Sequence, residues 1–240
     1  MGFLWHEVRT ALPLIWASNG YILDIAWVTI RVALVSTALA LVIGLPIGLV
    51  IGLGRFRGRR ALHILANASL ALPPVLAGLG VLLLLLPRGV FGSLHIAFTL
   101  QAVYVAQTVL ALPYVVALTP AAIQALPPGL LSQARLLGAG RRQLSLLALR
   151  EAKLGVMAAV IAAFGSTLSE VGAVVIVGGN IQNYDQTLAS AVLQQVNDYA
   201  GYSYAVGIAI VLLVLILMLM AVLTIVQQRS GGIQLRFRTS

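Results

Sequence analysis

The residues best suited to chemistry in this chain are few and widely spaced. His6, His63 and His95 are its only histidines, cysteine is absent, and no two histidines stand at metal-ligand spacing. A Ser–His hydrolase would have to join Ser166, deep in one apolar run, to His95 at the outer edge of another, a reach that disfavours it. The sequence also lacks a Gly-x-x-x-x-Gly-Lys-Ser/Thr stretch, and with it the backbone nest and lysine that cradle a nucleotide's phosphates. Two ionisable residues inside apolar runs remain, Arg31 and Glu170. Such a charge at the bilayer centre costs about 2.5–3.5 kcal/mol on insertion scales, so each calls for a partner. At a rise of about 1.5 Å per residue both sit roughly 8–10 Å below the same face. We therefore expect an Arg31–Glu170 ion pair joining the first and fourth runs.

The elements that carry these residues follow from composition. Of 240 residues 60% are hydrophobic and only 9% charged, and the mean hydropathy is +1.02. That is the signature of a membrane protein, and it excludes disordered, collagen-like and disulfide-scaffold classes. Apolar runs at 26–53, 62–86, 95–119, 154–177 and 204–226 are each long enough to cross the hydrocarbon core, which takes about 20 residues. The expected fold is all-α and polytopic, with about five transmembrane helices in a single integral domain over residues 1–240. The stretch from Phe3 to Trp16 includes His6, Glu7, Arg9 and Pro13, too mixed for a signal peptide or a sixth span, so residues 1–20 read as an outer interfacial helix. Gly44, Gly48 and Gly52 recur on one face of the first span and are expected to let another helix approach closely. Pro46, Pro73, Pro74 and Pro113 mark places where spans can bend.

A net charge of +9 would suit nucleic acid only if the cations gathered on one solvated module, and here they lie between apolar runs. They alternate by side instead. Arg55, Arg57, Arg59 and Arg60 follow the first span; Arg135, Arg141, Arg142, Arg150 and Lys153 separate the third from the fourth; Arg229, Arg236 and Arg238 end the chain. Opposite these twelve stand only Arg9 and Arg88. Basic residues in short loops stay cytoplasmic, so the N-terminus is expected outside and residues 227–240 form a cytoplasmic tail. Trp5, Trp16, Tyr21, Trp27, Tyr199, Tyr202 and Tyr204 would make an aromatic belt at the outer face.

The connection from Pro120 to Lys153 is the one long loop on the basic side, and it is neither polar nor glycine-rich enough to be slack. Leu130–Leu137 can form a short helix, Gly138-Ala139-Gly140 a sharp turn, and Arg141–Ala152 a second helix. Taken alone, such a basic knob reads as an element resting on anionic headgroups.

Within it, Ser132-Gln-Ala-Arg-Leu-Leu-Gly-Ala-Gly-Arg-Arg-Gln143 resembles the cytoplasmic coupling motif of bacterial ABC importer permeases, Glu-Ala-Ala, three residues, then Gly. Ala134, Gly138 and Ala139 are in register. Ser132, Gln133 and Arg150 depart from it, standing where the family commonly has Glu, Ala and Pro. Downstream, Phe164-Gly-Ser-Thr-Leu-Ser-Glu-Val-Gly172, Val177-Gly-Gly-Asn-Ile181 and Gln186-Thr-Leu188 look like the molybdate and tungstate branch, and most like tungstate permeases. Leu72-Pro-Pro-Val75 and Ala111-Leu-Pro113 also fit, so the similarity extends over about residues 26–226.

This resemblance implies a type I permease fold, paired with a second copy of itself in a bacterial or archaeal plasma membrane. An ABC ATPase dimer would bind ATP and Mg and perform the hydrolysis; this chain would bind no cofactor and be no enzyme. An extracytoplasmic binding protein would deliver an oxyanion, tungstate first and molybdate next. Ser132, Gln133, Ala134, Arg135, Gly138, Ala139, Arg141 and Arg142 would form the ATPase-coupling element. Ser166, Thr167, Ser169 and Asn180 are candidate pathway-lining residues, although a Ser or Thr in a span more often bonds to its own helix backbone. A stand-alone secondary transporter or a non-transport membrane scaffold would show the same five runs and charge asymmetry, and dependence on partners separates these alternatives. The segment 192–202 matches the branch least.

Overall fold

A computed structural model describes residues 6–11, 13, 19–197 and 202–231. Its architecture is all-α, and it is organised around two long helices running side by side. The first, α1 (Asn19–Leu53), has 35 residues, which at about 1.5 Å each exceeds the roughly 30 Å of hydrocarbon. Its neighbour α4 (Leu100–Gln124) begins at Thr99, whose Oγ1 accepts a hydrogen bond from the Ala102 amide. Pro46 lies inside α1, and Pro113 and Pro120 inside α4, without interrupting either helix.

The expected glycine stripe is the seam between them. A Cβ at Gly44 would lie 2.9 Å from Val115 Cβ, one at Gly48 2.7 Å from Thr119 Cβ, and one at Gly52 2.8 Å from Ile123 Cδ1. Only the missing side chains allow this approach, and the register of the contacts makes α1 and α4 parallel. Near their other end the Ser36 hydroxyl donates to the Tyr104 carbonyl at 3.2 Å.

The second and fourth apolar runs differ from the expected straight spans. The second is split into α2 (Arg59–Ser69) and α3 (Pro74–Leu85), which meet at 106°. Pro73 and Pro74 supply no amide donors, and Pro73 is extended (φ −60°, ψ 125°), so the helix restarts with proline at its first position. The fourth is split into α7 (Lys153–Ser169) and α8 (Gly172–Gly178), which meet at 62° across an extended Glu170 (ψ 132°). Among the described residues three continuous helices are therefore long and apolar enough to cross a membrane, or up to five spans when each bent pair counts as one. The third of them is α10 (Tyr202–Gly231), with Leu213, Leu217 and Val222 facing outward and more than half exposed, as suits a lipid-facing helix.

The two bent pairs pack together. A Cβ on Gly78 of α3 would lie 2.7 Å from Ala173 Cα of α8, and Val75 stands equally close to Gly172. Val32, Val81, Ala102, Val103, Val174 and Val177 form the main buried cluster where α1, α3, α4 and α8 converge.

At the end away from the basic loops, residues 6–11 are helical, and Ser203 hydrogen-bonds to Thr10 and to the Glu7 carboxylate. Of the aromatic belt, Tyr21 and Tyr204 stack with centroids 6.2 Å apart, and Trp27 and Tyr202 are exposed. Trp5, Trp16 and Tyr199 lie outside the described residues, as do Arg236 and Arg238.

Candidate functional site

The knob at the basic end has the two helices expected, α5 (Leu130–Leu136) and α6 (Arg141–Glu151). Between them Gly138 adopts φ +86°, the left-handed region, and closes a two-bond cap. Its amide donates to the Arg135 carbonyl and the Ala139 amide donates to the Ala134 carbonyl, both at 3.0 Å. This is a Schellman ending, which explains why glycine occupies 138. Gln143 Oε1 accepts the Gly140 amide at 2.8 Å and starts α6.

Both ends of the knob are anchored. On α6, Leu144 and Ala148 are buried, and Ala148 with Ala152 packs against Ile123 of α4 and Leu131 of α5. The Arg135 guanidinium donates to the Leu53 carbonyl at 3.4 Å, while Arg59 donates to Ile51 and Gly52 carbonyls at 2.6 and 3.2 Å. These two arginines satisfy the otherwise orphaned carbonyls at the C-terminus of α1 and complement its dipole. The role of Arg59 was not legible in sequence, where it counted only toward topology.

Leu136 and Leu137, 88% and 89% exposed, project from the tip of the knob. Sequence reasoning passed over them because two leucines at a helix end look like ordinary core. Ser132, Gln133, Arg141 and Arg142, on the same two helices, are exposed as well.

The second site lies at the helix breaks. A cavity of about 270 Å³ is bordered by Ser69, Pro73, Tyr114, Ser166 and Glu170. Glu170 Oε1 accepts the free Ala173 amide of α8 at 3.2 Å. Arg31 is elsewhere: its guanidinium carbon lies 6.0 Å from the centroid of the Tyr104 ring, within cation–π range, on an exposed part of α1. Among the described residues no ion pair joins Arg31 to Glu170, in place of the pair expected. A straight fourth span would hold the two charges at one depth, whereas the break at Glu170 turns the carboxylate onto the Ala173 amide of the new helix.

The candidate pathway residues separate. Ser166 borders the cavity but donates to the Ala163 carbonyl at 2.8 Å; Thr167 is buried and donates to Phe164; Ser169 is exposed and bonds to Gly165 and Ser166 carbonyls. Asn180 stands apart, with φ +57°, in the loop that follows α8. There Nδ2 of Asn180 donates to Gln194 Oε1 at 3.2 Å, and the Tyr21 hydroxyl donates to Gln186 at 2.6 Å. Asp185 is fully buried in the same loop, with Oδ1 accepting the Ile181 amide at 2.5 Å and Oδ2 without a partner. Burial raises its pKa above the usual carboxylate range, against the lowering effect of the Ile181 amide. Thr29 of α1 completes this knot by accepting the Leu188 amide at 2.8 Å, at the start of α9 (Leu188–Asn197).

A bundle of bent and straight apolar helices with an anchored knob at its basic end is the architecture of a transporter's membrane subunit. This chain belongs to the family described as binding-protein-dependent transport system inner membrane component, whose pattern matches residues 44–231. It is similar to a probable anion ABC transporter permease protein of Haloferax volcanii, 38% identical over 167 residues, covering 70% of this chain and 72% of that one. It also resembles the tungstate uptake system permease TupB of Peptoclostridium acidaminophilum (29% identical, 83% of this chain and 88% of that one) and the molybdenum transport permease ModB of Azotobacter vinelandii (30%, 75% and 84%). Among solved structures, the inward-facing MetNI methionine ABC transporter shares the fold, with a TM-score of 0.65 at 21% identity over 90% of this chain and 95% of that one. An ABC permease is the non-enzymatic membrane part of its transporter, and the family displaces the stand-alone carrier and the scaffold as readings.

Proposed function

We propose that this chain is the permease of an ATP-driven importer for a tetrahedral oxyanion, tungstate foremost and molybdate next. The tungstate and molybdenum permeases among its relatives support the substrate class. It works as a pair with a second copy of itself, its N-terminus outside and its basic end in the cytoplasm, as the cation asymmetry favours. A separate ABC ATPase dimer holds ATP and Mg, and an extracytoplasmic binding protein supplies the anion.

The observation that carries this reading is the knob. Leu136 and Leu137 are bare at the tip of a capped helix, yet the knob is tied to α1 through Arg135 and to α4 through Ala148 and Ala152. A groove on the ATPase that buries the two leucines would gain about 1.5–3 kcal/mol for each. Displacement of the knob is then passed to both long helices, because their glycine seam leaves no slack. The breaks at Pro73 and Glu170 are the hinges that convert this displacement into opening. The cavity between them is no store for a dianion, because among the described residues its one charged border side chain is a carboxylate; Ser69, Tyr114 and Ser166 offer weak, neutral contacts. Weak contact favours release, and it assigns discrimination among oxyanions to the binding protein.

The test is reconstitution with the cognate ATPase and binding protein. Uptake of tungstate should require all three components and ATP. Leu136→Ser with Leu137→Ser should lose uptake and ATPase association while the permease still purifies as the same species. Uptake by the permease alone, driven by an ion gradient, would overturn the proposal.

A further inference from the structure

A larger cavity, about 790 Å³, opens beside the knob at the cytoplasmic end of α1. Its size falls in the range of about 300–1,000 Å³ typical of small-molecule sites. One wall is apolar, built from Leu49, Val50, Leu53 and Phe56. Val50 is 59% exposed and Phe56 40%, so the wall is open to the surroundings. The other side carries Arg55, Arg135 and Arg141, and no carboxylate borders the cavity.

The charge is largely unspent. Arg135 makes its single long hydrogen bond to Leu53, and among the described residues Arg55 and Arg141 have no ion-pair or hydrogen-bond partner. Three guanidinium groups gathered at one rim would repel one another in the absence of an anion. Depth also matters. Since α1 exceeds the hydrocarbon core by roughly 20 Å in total, an even division of the excess between its ends puts its last two turns at the level of the headgroups. The cavity therefore combines an apolar wall with a cationic rim at the boundary where a phospholipid presents an acyl chain and a phosphate. The chain's own tail is a poor occupant, because Arg236 and Arg238 would add charge to the rim.

We propose that this cavity is a binding site for an anionic phospholipid, its phosphate held by Arg55, Arg135 and Arg141 and its upper acyl chain lying on Leu49, Val50 and Leu53. Guanidinium groups suit this task because they form bidentate bonds to phosphate oxygens. Basic pockets beside membrane helices on the cytoplasmic side are recurrent sites for such headgroups. The site adjoins the coupling knob through Arg135 and Arg141, so occupancy would brace it against α1. This inference does not depend on the oxyanion transported.

The experiment uses the permease–ATPase complex in nanodiscs of equal parts dioleoyl-phosphatidylglycerol and dioleoyl-phosphatidylcholine, with the lipid retained after transfer to detergent counted by native mass spectrometry. Wild type should retain phosphatidylglycerol in preference to phosphatidylcholine. Arg55→Gln should reduce that retention about fivefold, one basic side chain near the headgroup contributing about 1 kcal/mol. Arg55→Lys should keep most of it, and Val50→Trp, which fills the apolar wall, should remove it without changing the assembly's subunit composition. Equal retention in wild type and Arg55→Gln would overturn the proposal. Displacement of the lipid by millimolar inorganic phosphate would overturn it in favour of a free-anion site. Retention by the permease alone that vanishes when the ATPase joins would overturn it in favour of a protein contact.

Discussion

Substituting Gly138 by alanine isolates what the knob's turn contributes. Nothing lies within 4 Å of the position a Cβ would take, so crowding plays no part and the effect comes from backbone conformation alone. At φ +86° an L-residue with a Cβ is strained by about 1–2 kcal/mol. If the chain avoids that strain by unwinding, it loses the bonds from Gly138 and Ala139 to Arg135 and Ala134, each worth about 0.5–1.5 kcal/mol net. The cheaper route sets the cost, and a strain of about 1–2 kcal/mol depletes the formed knob by about 5- to 30-fold, since about 1.4 kcal/mol is tenfold in an equilibrium. Asparagine visits the left-handed region more readily, so Gly138→Asn should fall less than Gly138→Ala. The assay is ATP-dependent tungstate uptake in proteoliposomes containing the ATPase and binding protein, with the amount of ATPase retained by each variant measured in parallel. Equal losses in the two variants, or none in either, would refute the claim that position 138 supplies a left-handed turn.

Other substitutions test the surrounding framework. Gly48→Ala should lower the thermal stability of the purified permease by about 1–3 kcal/mol through overpacking against Thr119, while Gly80→Ala, with open space around it, should be neutral or slightly stabilising. Glu170→Ala removes the acceptor for the Ala173 amide and should cost about 1 kcal/mol, whereas Glu170→Gln, which retains an acceptor, should melt near wild type. Asp185 has a folded-state pKa raised by burial, so the stability it contributes is present below the usual carboxylate range and is lost as pH rises through that folded value. Asp185→Asn should therefore gain on wild type in melting scans as pH increases from acid to neutral, and a constant difference would contradict the reasoning.

Much of this molecule is readable in its residues because lipid as solvent demands long apolar runs and sorts basic loops by side. The glycine seam was legible too: three glycines at four-residue spacing can serve close packing only if a partner helix is present, and α4 is that partner. So were the two helices of the knob, since Gly138-Ala139-Gly140 interrupts an otherwise helical pattern. The broken spans were harder. Hydropathy averages over the bend at Pro73 and is blind to the one at Glu170, where no proline stands and the carboxylate itself begins the next helix. The mistaken Arg31 partner follows directly, because a depth count treats both helices as straight rods. Leu136 and Leu137 escaped notice for a different reason: exposure is a tertiary property, and a leucine pair carries no local sign of whether it will be covered. The arginine caps on α1 also depend on a fold-back, bringing residue 135 to residue 53, that periodicity does not encode.

Because the chain contains no cysteine, a single Leu137→Cys provides a clean reporter of where the knob is and what covers it. A membrane-impermeant maleimide should fail to label it in intact cells, label it in inverted membrane vesicles stripped of the ATPase, and fail again when the ATPase is restored. Labelling from outside intact cells, or labelling unaffected by the ATPase, would contradict the proposal that this knob couples the membrane helices to a separate motor.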